Sequence, residues 1–102
     1  MNTITLTQDA LSDIDYAYQY YIEHVSASTA DRLLSEIENN LKQIKEFADA
    51  NPKHLVHEGN IVYKKHLNKF KYTIFYLIQD EIIVFALLHQ SRNIENLIAK
   101  RL

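Results

Sequence analysis

The apolar residues of this chain change their spacing once, at Asn51-Pro52, and that change constrains the fold more than any other feature. Ahead of it they recur every three or four residues, the period of a helix face; beyond it they alternate, the period of a strand. Pro52 divides the two regimes because a proline cannot continue a helix.

The helical part has two segments. Leu11, Ile14, Tyr18, Tyr21 and Val25 form one stripe, with Thr7 placed to cap the helix start. After Ser26 a second stripe of Ala30, Leu34, Ile37, Leu41, Ile44 and Ala48 steps by four and three residues, like a heptad seam. Two consecutive helices with a short joint predict an antiparallel hairpin whose stripes face a core. In front of them Thr3-Ile4-Thr5-Leu6 alternates polar and apolar residues and predicts a short strand.

Beyond Pro52, residues 53–60 hold the only glycine and two histidines and read as a loop. Residues 61–67, 70–78 and 82–88 then have the length and spacing of a three-strand antiparallel meander. In the middle run Tyr72, Ile74, Tyr76 and Ile78 share one face and Thr73, Phe75 and Leu77 the other, so that strand is expected at the centre, covered on both sides. Residues 93–102 read as a short terminal helix or a tail. The expected fold class is α+β: an N-terminal strand, then an antiparallel helical hairpin packed on an antiparallel sheet with a C-terminal three-strand meander. A length of 102 residues suits a single domain over 1–102.

Composition narrows the function classes. Hydrophobic residues at 47% with one Gly and one Pro exclude a disordered chain, and the lack of cysteine excludes disulfides, thiol nucleophiles and thiolate metal sites. No apolar stretch approaches the ~20 residues of a membrane span, and the start lacks the basic and apolar regions of a signal peptide, so a cytoplasmic location without membrane contact is expected. Up to Pro52 there are 3 basic and 9 acidic residues, a balance of −6; from Lys53 onward there are 8 basic and 4 acidic, a balance of +4. The His54/His57 pair has a spacing found in some metal sites but no cysteine or fixed carboxylate beside it, so neither metal nor cofactor is expected.

Candidate chemistry collects where the apolar run Val84-Phe85-Ala86-Leu87-Leu88 stops on His89-Gln90-Ser91-Arg92-Asn93. An imidazole titrates near neutrality and a guanidinium clamps phosphate, so His89 is the candidate base and Arg92 the candidate clamp, with Lys64 as a further cation. The plainer readings are a strand-end imidazole bonded to Ser91 and an exposed Arg92–Glu95 pair. Lys64, Lys65, Lys69 and Lys71 otherwise serve as a solvated run that protects a sheet edge, or with Arg92 as a patch for an acidic partner. Alternation puts Lys64 and His66 on one face and Lys65 on the other. Within Tyr16-Ala17-Tyr18-Gln19-Tyr20-Tyr21, Tyr16 and Tyr20 sit one turn apart off the core stripe, as surface cover or as an interface.

The chain resembles the RelE/ParE superfamily of bacterial toxins, the toxin halves of type II toxin-antitoxin pairs. The resemblance runs from the strand-helix-helix opening through His24-Val25-Ser26-Ala27-Ser28-Thr29-Ala30 to the terminal strands. It is carried most specifically by Lys69-Phe70-Lys71-Tyr72-Thr73-Ile74-Phe75-Tyr76 and by Val84 to Asn93. Lys71 and Ile94 stand where the superfamily usually has proline. Thr73 stands where its ribosome-dependent ribonucleases tend to carry an arginine, and Ile98 near where they carry an aromatic or polar catalytic group. What the resemblance implies is a ParE-like toxin, active in growth inhibition and plasmid stabilization, that binds DNA gyrase without chemistry of its own. A cognate antitoxin would neutralise it by wrapping its surfaces, as a dimer or heterotetramer. Partner-binding residues would be Lys64, Lys65, Arg92, Tyr16 and Tyr20. The alternatives are a RelE-like messenger-RNA endonuclease acting on the ribosome through His89, Arg92 and Lys64, or a non-toxic degenerate relative.

Overall fold

A computed structural model describes residues 3–102. The chain runs through β1 (Ile4–Leu6), α1 (Gln8–His24), α2 (Ala27–Phe47), a 3-10 turn (Ala48–Ala50), β2 (Lys53–His57), β3 (Asn60–His66), β4 (Tyr72–Ile78), β5 (Ile82–His89) and α3 (Ile94–Arg101). Both long helices start on the caps their sequence offers: Thr7 Oγ1 accepts the Ala10 amide at 3.2 Å and Ser26 Oγ that of Thr29 at 3.1 Å. The sheet has the order β1-β5-β4-β3-β2, so β4 is its middle strand, and the run from Thr73 to Leu77 is buried throughout. The α+β class stands as expected. One ladder differs: β1 lies parallel to β5, pairing Ile4 with Ile82, and makes the sheet mixed.

The helical hairpin covers one face of the sheet. Ala10, Ala17, Leu33, Ile37 and Ile44 meet Ile74, Tyr76, Val84 and Leu87 there. This seam is rotated from the stripe of large apolar residues, and Leu11 and Val25 are 48% and 58% exposed. Alanine explains the rotation. With Ala10 and Ala17 against the sheet the helix backbone can approach closely, which a stripe read from bulky side chains overlooks. In α2, Leu33 is fully buried where Leu34 was expected, and Asn40 joins the buried side with its amide donating to the Glu36 carbonyl at 2.8 Å.

The other face is covered by α3, whose Ile94, Leu97, Ile98 and Leu102 pack on Val62, Phe75, Leu77, Phe85 and Leu88. The C-terminal segment is therefore a docked helix. The expected loop at 53–60 is instead the edge strand β2 joined to β3 by Glu58-Gly59. Both turn residues have positive φ, 50° and 82°, the backbone of a type I′ hairpin. A bulge between Lys53 and Leu55 and the lack of a partner on its outer side leave β2 without clean alternation, which is why its pattern reads as loop. His54 accordingly lies on a strand, its Nε2 3.1 Å from Glu95 and its ring edge-on to Phe75.

A second bulge ties the two faces together. Phe75 pairs with Ala86 but Tyr76 with Val84, so Phe85 is an extra residue in β5. The Leu87 amide donates to Asp13 Oδ2 at 3.0 Å, and the Phe85 carbonyl accepts from Arg101 at 3.2 Å. Arg101 and Asp13 also meet in a two-bond fork of 2.6 and 3.0 Å. Its hydrogen bonds to Asp13 hold the guanidinium pKa above its ordinary value. One ion pair thus satisfies the bulge and links α1, β5 and α3.

Candidate partner-binding site

β5 delivers His89 at its end, where it pairs in register with Tyr72 at the start of β4. Residues paired across a ladder point to the same face, so both rings lie on the hairpin side, edge to face with centroids 5.1 Å apart. The chain then turns: the Arg92 amide donates to the His89 carbonyl, and the Gln90 amide to that of Lys71. This turn answers why the apolar run stops there. It brings Arg92 into solvent, and Glu95, its partner in the plainer reading, is bonded to His54.

The orientation of His89 is fixed from behind. Its Nδ1 accepts the backbone N–H of Ser91 at 3.1 Å and lies 2.8 Å from Ser91 Oγ. A backbone amide can only donate, so Nδ1 carries a lone pair and the neutral ring bears its proton on Nε2. What His89 offers a partner is an N–H donor.

Around this pair lies an aromatic surface contributed by α1. Tyr16 and Tyr20 are 71% and 47% exposed, and Tyr20 touches His24 and, edge-on, Tyr21, which in turn packs edge-on against Phe70. Tyr72 senses the same neighbourhood. Its pKa is raised first by burial and then by Tyr21, Tyr20 and Tyr16, and is eased by Arg92. Tyrosine spacing in α1 and the polar stop of β5 thus converge on one rim, a convergence that rests on the register of β4 and β5.

The lysines are divided. Lys65 pairs with Ile74 and shares the hairpin face with His89, whereas Lys64 pairs with Phe75 and belongs to the α3 face. His89 and Lys64 therefore do not converge on a single reacting group. Thr73 is fully buried with its Oγ1 2.6 Å from His66 Nδ1, and Ile98 is buried between α3 and the sheet. Tyr72, Phe70 and the tyrosine neighbours are the residues of the rim that sequence reading did not assign to it; the aromatic cluster in α1 was the available signal.

A family model described as the ParE toxin of type II toxin-antitoxin system, parDE, matches residues 4–94. The chain belongs to this ParE toxin family. Among solved structures, a chain of the chromosomal ParDE TA system from P. aeruginosa is similar with a TM-score of 0.76 at 18% identity, over 87% of this chain and 96% of that one. At that identity the likeness speaks for the ParE fold alone. Among curated proteins none matches. The family match ends at Ile94, where α3 begins, so the Asp13–Arg101 bridge anchors a segment beyond the residues that match the family.

Proposed function

We propose that this ParE-family protein is a binding toxin of the cytoplasm that engages DNA gyrase through the rim of Tyr16, Tyr20, Tyr72, His89, Arg92 and Lys65, and that a cognate antitoxin neutralises it. The observation that carries the reading is the Ser91 amide on His89 Nδ1. A neutral imidazole protonated on Nε2 is a donor towards solvent and would have to surrender its backbone bond to take a proton from a ribose hydroxyl. Two further features support binding over messenger cleavage. Lys64 and His89 sit on opposite faces, and Thr73 and Ile98, which stand where the ribosome-dependent ribonucleases tend to carry an arginine and a further catalytic group, are buried. Lys64, on the α3 face, is left to the antitoxin.

The test is a gyrase supercoiling assay run beside a translating extract with mapping of messenger ends. Inhibition of supercoiling without new messenger ends is expected. His89→Gln, which keeps a donor near Nε2, should stay within about threefold of the parent, while His89→Ala should weaken inhibition about five- to tenfold, the worth of one hydrogen bond. Codon-periodic cuts lost in both variants would replace this reading with the nuclease.

A further inference from the structure

The side chains of β5 change faces part-way along the strand. Ile82 and Val84 lie against the helical hairpin, Phe85 and Ala86 both turn towards α3, and beyond them Leu87 returns to the hairpin side while Leu88 goes to α3. Even-numbered residues therefore face the hairpin before the bulge and odd-numbered ones after it. Successive residues of an unbroken strand point to opposite faces, so if the Val84–Tyr76 register ran on unchanged, Leu88 would stand opposite Tyr72 and His89 would emerge on the α3 face. The extra residue is what brings His89 to the Tyr72 ring and into the rim.

No strand holds that residue in place. β1 ends at Leu6, opposite Val84, and the Thr7 amide donates to the Val84 carbonyl; past that point β5 has no neighbouring strand on this side among the described residues. Asp13 and Arg101 take over, the first accepting the Leu87 amide at 3.0 Å and the second donating to the Phe85 carbonyl at 3.2 Å. Both side chains are mostly buried, so these are bonds that water cannot readily replace. A regular strand would present the N–H of Ala86 and then its C=O along this edge. The bulge presents the Phe85 C=O and then the Leu87 N–H, and the donor and acceptor are bonded in that order.

We infer that Asp13 and Arg101 are positioning residues for the rim: through the β5 bulge they set the face on which the strand delivers His89. The placement is a property of this chain alone, and its effect on gyrase rests on the binding reading above. Arg101 belongs to α3, so a helix on one face of the sheet governs a hydrogen-bond donor on the other.

Three proteins test this beside the parent: the double variant Asp13→Leu/Arg101→Met, the chain lacking Ala86, and the two changes combined. Replacing both ionic partners by apolar side chains leaves no buried charge unpaired. Removing Ala86 leaves Phe85 opposite Phe75 and brings Leu87, Leu88 and His89 to Ile74, Thr73 and Tyr72 in regular alternation, so there is no bulge to hold. The readouts are the nuclear Overhauser contact between the rings of Tyr72 and His89, whose centroids are 5.1 Å apart, and inhibition of gyrase supercoiling. The ring contact should be present in the parent and in the chain lacking Ala86, lost in the double variant and present again in the combined protein. Inhibition should fall about five- to tenfold in the double variant, the worth of the displaced donor, and return to within about threefold of the parent in the combined protein. A pair that merely stabilised the fold would give no such rescue. Survival of the ring contact in the double variant, or a combined protein that lacks the contact or does not fold, would overturn the inference. If the double variant does not fold, the combined protein decides by the same criterion. A parent that leaves supercoiling untouched removes the gyrase reading and not this one, because the ring contact is read without gyrase.

Discussion

Tyr76 shows how much structural work a single side chain does in this protein. It is fully buried, its hydroxyl donates to the Ala48 carbonyl at 2.6 Å and accepts from Asn51 at 2.9 Å, and so it pins the end of α2 to the middle of the sheet. Burial raises its pKa above the ordinary 10.0, with the Asn51 bond partly offsetting. As pH rises past about 10 an unfolded chain therefore loses this proton before the folded one does, and stability falls with further alkali. Tyr76→Phe should cost about 1–2 kcal/mol near neutral pH, because the Ala48 carbonyl loses its partner, yet make the alkaline decline shallower. Urea unfolding at neutral and alkaline pH checks both signs; a parallel decline in the two proteins would refute the assignment. The exposed strand end at His89 and Arg92, proposed above as a binding rim, was legible in sequence, because an apolar run that ends on charge has to leave the core. Asp13 with Arg101 was not legible. Their partnership spans 88 residues and exists to satisfy a bulge that no pattern of residue types announces.

At the scale of elements, periodicity located the helices and the central strands because each has one or two faces of uniform character. It failed for β2, an edge strand with a bulge, and for the exact seam of α1, where alanine rather than a bulky residue meets the sheet. The missed hairpin also carries a measurable imperfection. Glu58 holds φ at 50° in the left-handed region, where a side chain without local hydrogen bonding is disfavoured. Glu58→Asn should stabilise the protein by about 0.5–1 kcal/mol in thermal or urea unfolding, and a loss of stability would show that the Glu58 side chain has a role the turn geometry does not explain. The helix α3 is the opposite case, a short element held by tertiary contact. Ile98 is buried between Phe75, Phe85 and Leu88, so Ile98→Ala should cost about 2–5 kcal/mol. The same variant should bind a hydrophobic dye more than the parent, since the outer sheet face is apolar and α3 is its cover. Dye binding equal to the parent's at full destabilisation would place the weakened packing elsewhere.

The molecule as a whole is assembled from two parts that cannot bury their apolar faces alone. Residues 1–52 carry a balance of −6 and residues 53–102 one of +4, and the boundary falls where the hydrophobic period changes. Sequence therefore showed the seam between the parts but not how they interlock. In the structure β1 joins the sheet edge parallel to β5, the hairpin lies on β4 and β5, and Arg101 reaches back to Asp13, so the longest-range contacts close the chain end to end. Isolated helices depend on tertiary packing for stability, and the α2 seam of Leu33, Ile37 and Ile44 is buried only where α1 and the sheet close on it together. A fragment of residues 1–52 should accordingly show weak helicity and no cooperative melting by circular dichroism. Mixing it with a fragment of residues 53–102 should restore both, and the opposite charges of the parts should make that recovery decline as salt is raised. If the first fragment melts cooperatively by itself with the helix signal of the intact chain, the hairpin is an autonomous unit, and the end-to-end closure adds stability without deciding whether the protein folds.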